Sequence, residues 1–497
     1  MAGEPGDRET ALARADVAVS GTRAARIEAP LNDGTIPASR VPVVAEADVV
    51  VVGGGPGGFA AALRAARAGA RTILIERCDM PGGVHTSGLQ GAAGEGVGGI
   101  HTELMERFAA KGFIYVATEN DLPGWAGNPL SHYERNMKPG SPFRRASFNP
   151  EGAGCEMALM LAEAGVDCMY ATAFVEAIVE AQAGRDNKIA AVVVHDAEGL
   201  RAVRGKIFID GTGTAELAAR AGAPFVSGGG GQPAGADWDG VERPIPGGLL
   251  WIMSGVDFAQ TARHQESARD PTLSRLIAEA SAAGDIPPGL YRPRMKGGNV
   301  YGEAYIGHPT LDFSPMLREG TFVVWQNVPY EWALRMDESA GDASRARGEL
   351  RGFIEAEARF LRKYAPGFSA ATLMDVGRFV GVRDGRHPVG EHVFSLADAR
   401  EGREFRDAIS KPMTKTFFWD GPRKHRFQVP FRCFLPKNVE NLLLTGASLS
   451  FEYETIFMVM RNFPWCAQTG EIAGFAAARC VERGVSPKEF EWRETYF

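Results

Sequence analysis

The stretch from Val49 to Gly83, VVVVGGGPGGFAAALRAARAGARTILIERCDMPGG, constrains the fold of this chain more than any other. Val49 to Val52 are four β-branched residues in a row, the pattern of a strand buried in a parallel sheet. Gly53, Gly55 and Gly58 follow as GxGxxG, and Pro56 to Ala68 carries small and apolar residues at helical spacing. Arg71 to Ile75 reads as a second strand that ends on Glu76. Each glycine has its own reason. Gly53 permits the tight turn out of the strand, Gly55 lets the backbone approach a pyrophosphate, and Gly58 lets helix and strand pack closely. Pro56 and Gly57 belong to the same turn, at a helix N-terminus whose free N–H groups and partial positive charge suit phosphates. Glu76, about 20 residues on, can accept hydrogen bonds from both hydroxyls of an adenosine ribose. A lone GxGxxG is a weak signal; strand, glycines, helix, strand and acid in this order and spacing form a specific one. An acid at this place favours an unphosphorylated ribose, hence FAD or NAD rather than NADP.

The choice between those two rests on resemblance. Arg77-Cys78-Asp79-Met80-Pro81-Gly82-Gly83 is followed by Val84-His85-Thr86-Ser87-Gly88. This acid–Arg pair with a Gly-Gly doublet resembles the N-terminus of FAD-dependent oxidoreductases of the glutathione-reductase-like superfamily. Lys206 to Thr214, KIFIDGTGT, resembles the family's "ATG" segment, with Gly211 where alanine is usual, and implies Gly211, Thr212 and Gly213 beside the flavin. Gly381 to Gly390, GVRDGRHPVG, resembles a G-x-R-E-x-R-x-x-x-G segment, with Asp384 where glutamate is usual. Asn441 to Gly446, NLLLTG, leading through Arg461 to CAQTGEIAG, is similar to the C-terminal flavin-binding turn and helix. The likeness runs from about Ile36 to Glu482. It points to the branch related to the flavoprotein subunits of succinate dehydrogenase and fumarate reductase.

The resemblance implies an α/β chain with FAD bound in a discontinuous Rossmann-type domain and an inserted α+β substrate domain. Residues 1–40 read as a partly mobile extension and 41–225 as the first part of the FAD domain, with a loop excursion over 121–148. Residues 226–428 read as the substrate domain, opened by the low-complexity run from Ser227 to Asp239, and 429–497 as the closing part. A single strand is expected over Val166 to Val179, bordering the adenine near Val175. A helix beginning near Thr469 and Gly470, after the turn at Gly446, would point its N-terminus at the pyrimidine edge of the flavin.

His85 and Thr86 follow the Gly82-Gly83 doublet where succinate dehydrogenase-like proteins carry a histidine bonded covalently to the flavin. A covalent bond through His85 and plain packing beside the ring both stand. Arg383, Arg386 and His387 form the best substrate-side cluster, since two arginines three apart can hold a carboxylate and a histidine can exchange a proton. An internal ion pair with Asp384 or Glu391 explains the same charges. Tyr453, with Glu452 and Glu454, lies in a loop expected to face the flavin and offers a base. Trp125, Trp251, Trp325 and Trp419 can line an apolar pocket or simply pack the core.

At 497 residues the chain is too long for one core. Its 61 glycines exceed the roughly 7% average and fit a fold with many close backbone approaches. A net charge of −7 without a dense basic run argues against nucleic acid. No run is long enough to span a bilayer, and no secretory signal opens the chain, so a cytoplasmic setting is expected. The six cysteines are scattered without CxxC pairs, which disfavours zinc or iron–sulfur ligation; no metal is expected. The expected activity is hydride transfer between a small organic substrate and flavin N5, with a second acceptor reoxidising the flavin. A flavin monooxygenase, or a flavoprotein subunit relaying electrons to a partner, remain as rivals. Whether the chain forms a homo-oligomer is open.

Overall fold

The Val-rich run forms a strand because its side chains are covered on both faces. In a computed structural model the described residues are 24–27, 30–31, 34–35, 39–91, 98–116, 146–181, 184–227, 247–268, 273–287, 316–318, 320–327, 339–382, 385–409, 417–420, 423–452 and 461–493. Strand β1 (Ser39–Val52) leads into helix α1 (Pro56–Arg67) and strand β2 (Thr72–Ile75). Val49, Val50 and Val51 are fully buried. β2 runs parallel to β1, Val49 opposite Thr72 and Val52 opposite Ile75, and β3 (Asp167–Met169) continues the sheet parallel to β2. On its other side β1 pairs parallel with β6 (Gly199–Asp210), Asp210 opposite Val52.

β6 changes neighbour along its length. Its first half pairs antiparallel with β5 (Lys188–Asp196), which pairs with β4 (Ala173–Glu180). Its last three residues, Phe208–Asp210, pair parallel with β12 (Leu442–Leu444), more than 200 positions later. The sheet is therefore assembled from chain on both sides of a long intervening segment. Helix α6 (Phe463–Arg483) then crosses α1. A Cβ on Gly470 would stand 2.0 Å from the Gly57 carbonyl oxygen, and one on Gly474 2.2 Å from that of Ala61. Only glycine permits this approach.

Within the intervening segment, strands β8 (Gly248–Ser254), β9 (Thr321–Asn327) and β10 (Thr372–Val376) build an antiparallel sheet with β8 between the other two. Helix α5 (Ala340–Tyr364) packs on it. Leu249, Trp251 and Met253 point to the α5 side, with Leu350, Ile354 and Phe360 in one buried cluster. Leu250 and Ile252 point the other way and meet Leu89 and Val323. This alternation is the period of two expected of a strand.

The structure adds to the sequence expectations or departs from them in three local ways. The expected strand over Val166–Val179 breaks between Met169 and Ala173, because Ala171 adopts φ +50° and Thr172 N–H turns to bond the Glu76 carbonyl. Within the extension over residues 1–40, expected to be partly mobile, Ala24–Ile27 pairs antiparallel with Ser39–Pro42. At the end of the excursion, β-residues Ala146–Phe148 pair with Ile114–Val116; residues 117–145, with Trp125, lie outside the described residues.

Candidate functional site

The turn after β1 is closed by backbone against backbone. Gly53 has φ +93°, and a Cβ there would lie 2.6 Å from the Gly211 carbonyl oxygen. A Cβ on Gly58 would lie 1.7 Å from the Gly53 carbonyl oxygen. The fold itself thus demands these two glycines. Gly55 is different: a Cβ there meets nothing closer than Gly211 oxygen at 3.8 Å. Its space is open, as a site for a ligand requires. Gly55 is the N-cap of α1, Pro56 opens the first turn, and no side chain caps it. An uncapped first turn beside open space suits a phosphate.

Glu76 stands at the mouth of this turn, 4% exposed. Its Oε2 accepts from Gly54 N–H at 2.5 Å and its Oε1 from Cys78 N–H at 2.7 Å. Its own N–H donates to the Met169 carbonyl at 2.9 Å. The carboxylate is held in place, and each oxygen retains a lone pair for a further donor. Val175 lies on β4, 37% exposed, three residues past the Thr172 contact with Glu76. The chain then doubles back at Gly82 (φ +104°) and Gly83 (φ +54°), and Gly82 N–H donates to the Gly54 carbonyl at 2.7 Å. Thr86 Oγ1 donates to the Pro81 carbonyl at 2.6 Å. The doublet and Thr86 are thereby brought against the glycine turn.

His85 is buried behind this loop. Its Nδ1 lies 2.9 Å from the Gln90 carbonyl oxygen. A carbonyl can only accept, so Nδ1 carries the proton and Nε2 the lone pair. Burial pushes the imidazole down to about 4, against the Gln90 bond, with His101 adding to the depression. The ring is neutral at pH 7 and stacks on Phe463, centroids 4.6 Å apart.

The third wall is the turn after β6. Asp210 is fully buried and accepts from Thr212 N–H at 2.9 Å, Thr212 Oγ1 at 2.7 Å and Ala218 N–H at 2.9 Å. Burial raises its carboxyl, and these donors oppose the rise. Gly213 takes φ +74° and faces open space. Gly446 (φ +63°) donates its N–H to Thr469 Oγ1 at 3.0 Å, which joins two more of the expected residues.

The helix expected to begin near Thr469 and Gly470 begins instead at Phe463, with Asn462 as N-cap and Pro464 in its first turn. Thr469 and Gly470 lie two turns inside it. Gly470 is required there by the crossing with α1, so its glycine marked a helix contact rather than a helix start. The helix N-terminus lies at Phe463, against His85.

Arg386 and His387 lie on a short strand, Arg386–Pro388, paired with Phe225–Ser227. Arg386 Nη1 donates to the Thr214 carbonyl at 3.4 Å, and its guanidinium sits 5.7 Å from the Phe225 ring. His387 is 8% exposed. This segment thus reaches the turn after Gly213. Arg383, Asp384 and Tyr453 lie outside the described residues. Trp251 is in the core between β8 and α5, not at this site. The thiols of Cys78 and Cys466 are pushed up by burial to about 11 and about 12, so both are protonated at neutral pH, unlike a reactive thiolate. Among the described residues no group of His, Cys, Asp and Glu is placed to hold a metal, and no helix is long and apolar enough to cross a membrane.

Sequence reasoning missed Asp210 and Phe463. Both had a signal: an acid closing a strand directly before Gly-Thr-Gly, and an Asn-Phe-Pro run of the kind that opens a helix.

The model of the FAD dependent oxidoreductase family matches residues 48–495. The alpha subunit of sarcosine oxidase from Rhizobium meliloti (strain 1021) is 34% identical over 95 residues, 19% of this chain and 10% of that protein. The chain thus matches about a tenth of the length of this curated relative. Among solved structures, a geranylgeranyl bacteriochlorophyll reductase-like protein from Thermoplasma acidophilum aligns over 88% of this chain and 79% of its own, at 15% identity and TM-score 0.39. A myxobacterial chondrochloren halogenase aligns over 91% and 77%, at 13% identity and TM-score 0.42. The p-nitrophenol 4-monooxygenase of Pseudomonas putida DLL-E4 aligns over 90% and 82%, at 11% identity and TM-score 0.41.

Proposed function

The chain belongs to the FAD dependent oxidoreductase family, and on that premise we propose that it transfers a hydride between carbon or nitrogen of a small organic molecule and FAD. The FAD pyrophosphate is assigned to the turn Gly53–Gly58 and the adenosine ribose to Glu76. The observation that carries this assignment is the contrast among the three motif glycines. Gly53 and Gly58 are filled by the protein's own backbone, whereas Gly55 fronts open space beside an uncapped helix start. Glu76, tied to Gly54 N–H in the same turn, supplies the ribose acceptor.

When bound, FAD supplies the two-electron chemistry, and the protein supplies position and electrostatics. The first turn of α1 would offset the charge of the phosphates. Gly82 and Gly83 carry the chain from the ribose end toward His85. His85, neutral and held by Gln90, backs the loop against Phe463 with an uncharged imidazole, which avoids placing a buried cation there. The N-terminus of α6 at Phe463 would offer its dipole to negative charge on a flavin bound beside the His85 loop. The finer placement beside succinate dehydrogenase and fumarate reductase flavoproteins is consistent with a histidine after the glycine doublet. Arg383, Arg386, His387 and Tyr453 are retained as substrate-side residues, and Gly211, Thr212, Gly213, Gly446 and Thr469 as supports of the cofactor.

Glu76→Ala tests the assignment. The variant should fold, since the lost bonds are two to backbone N–H groups, yet purify largely free of yellow cofactor. A fully loaded Glu76→Ala protein at dilute concentration overturns the ribose assignment.

A further inference from the structure

The loop that carries Glu76 and His85 has little regular structure of its own, apart from one short turn at Gly83–His85. Its shape must be imposed by neighbours. On one side the parallel sheet holds it, through Glu76 N–H to Met169 and Ala171 N–H to Cys78. On the other side it is held by a turn of the second sheet, Gly377–Gly381, at four separate points. Arg378 N–H donates to the Ser87 carbonyl at 2.9 Å. The Arg378 guanidinium pairs with Asp79. The Arg77 guanidinium lies over the Phe379 ring, 4.8 Å from its centroid. A Cβ on Gly381 would lie 3.4 Å from Val84 Cγ2, so the Val84 side chain rests against the turn.

The turn is itself fixed to the second sheet. Gly377 N–H donates to the Leu250 carbonyl at 2.8 Å, and Gly381 and Gly248 exchange both backbone bonds, at 2.8 and 3.1 Å. β8 is thus tied to the loop through one short, doubly anchored turn. We propose that Gly377–Gly381 is a positioning element of the FAD site, supplied by the second sheet, with Arg378 and Phe379 as its positioning residues. FAD affinity then depends on a part of the chain some 300 positions beyond the glycine motif, and FAD binding in turn firms the docking of the second sheet. The reasoning is one of linkage. A loop held in its binding shape before the ligand arrives pays less ordering entropy when it binds. The Arg378–Asp79 pair is half-exposed, 44% and 60%, so it contributes little by itself. The ring contact and the backbone bond carry most of the effect.

This inference rests on the assignment of FAD to the Glu76 loop, and its test separates the two. Apo-forms of Phe379→Ala, Arg378→Ala and Glu76→Ala are titrated with FAD, read by flavin fluorescence, and melted without FAD. Phe379→Ala should bind FAD at least about tenfold more weakly, the scale of a partly desolvated cation–π contact with its ring packing. Its apo melting temperature should stay within about 2 °C of wild type. Phe379→Tyr, which keeps the ring, should restore affinity. Hydrogen exchange at the Arg378 amide should slow when FAD is added to the unmodified protein; this reading holds even if Phe379→Ala does not fold. Unchanged exchange, or Kd values within about twofold of wild type for both turn variants while Glu76→Ala loses FAD, overturns the inference and leaves the site assignment standing. A drop in apo melting temperature with unchanged Kd makes the turn a packing contact only, and also overturns it. Retention of FAD by Glu76→Ala overturns the site assignment, and this inference with it.

Discussion

The two longest helices among the described residues are built on opposite plans. α6, 21 residues, is crowded with Gly and Ala and buried along most of its length. It meets α1 with backbone near backbone, at Gly470 on Gly57 and Gly474 on Ala61. α5, 25 residues, is charged on one side and apolar on the other, and meets its sheet through large side chains such as Leu350, Ile354 and Phe360. The first contact is selected by what must be absent, namely a Cβ. The second is selected by what must be present, namely volume. Backbone contact leaves the glycine turn and α1 no room for an added carbon, and side-chain contact gives a core that can repack. The cofactor site is assigned to the region with the lower tolerance.

The sharpest way to break this comparison is to add a single methyl group. Gly58→Ala places a carbon 1.7 Å from the Gly53 oxygen and should cost about 4 kcal/mol or more, or prevent folding. Gly55→Ala adds the same group to open space, so it should leave apo stability within about 0.5 kcal/mol while weakening FAD binding. Chemical denaturation of the two variants measures the gap; equal stabilities would erase the distinction between the fold's glycines and the ligand's.

Removing volume probes the other helix. Trp251→Ala empties the core between β8 and α5 and should cost about 3–4 kcal/mol, whereas Trp251→Phe, which preserves most of the volume, should cost about 1 kcal/mol. Neither should alter FAD affinity by more than about twofold. A large loss of FAD from Trp251→Phe would show the two regions to be more tightly joined than through the Gly377–Gly381 turn.

Acid distinguishes them more gently. His85 has a folded pKa of about 4, below its ordinary 6.5. Stability from its neutral burial is therefore fully present above about pH 6.5 and is lost as pH falls toward about 4, by a total of about 3 kcal/mol. Urea midpoints of the wild type and His85→Gln at pH 7 and pH 4.5 read this directly. The variant should show the shallower fall, and an identical fall in both would place the acid sensitivity elsewhere.

Much of the glycine-turn region was legible before the structure. Gly53, Gly58 and Glu76 could be placed because their spacing is set by local geometry: a strand must end, turn and enter a helix within a few residues. The helix Pro150–Glu163 is likewise set by local chemistry, its cap Asn149 accepting from Glu151 and Gly152 N–H. Gly470 was misread as a helix start because a glycine demanded by a partner 413 positions away looks, in sequence, like a glycine demanded by a turn. Trp251 could be read as pocket or core, since a strand's alternation shows that two faces exist but not which one meets the helix.

By itself, then, the sequence determined the strand–glycine–helix–strand–acid unit and the preference for an unphosphorylated ribose, because both follow from backbone geometry and hydrogen-bond chemistry over about 30 residues. Only the tertiary structure decided that α6 begins at Phe463 against His85, that β6 trades β5 for β12 as its neighbour, and that Gly377–Gly381 grips the Glu76 loop. These are contacts between residues far apart along the chain, and no local period or propensity records which distant backbone will arrive.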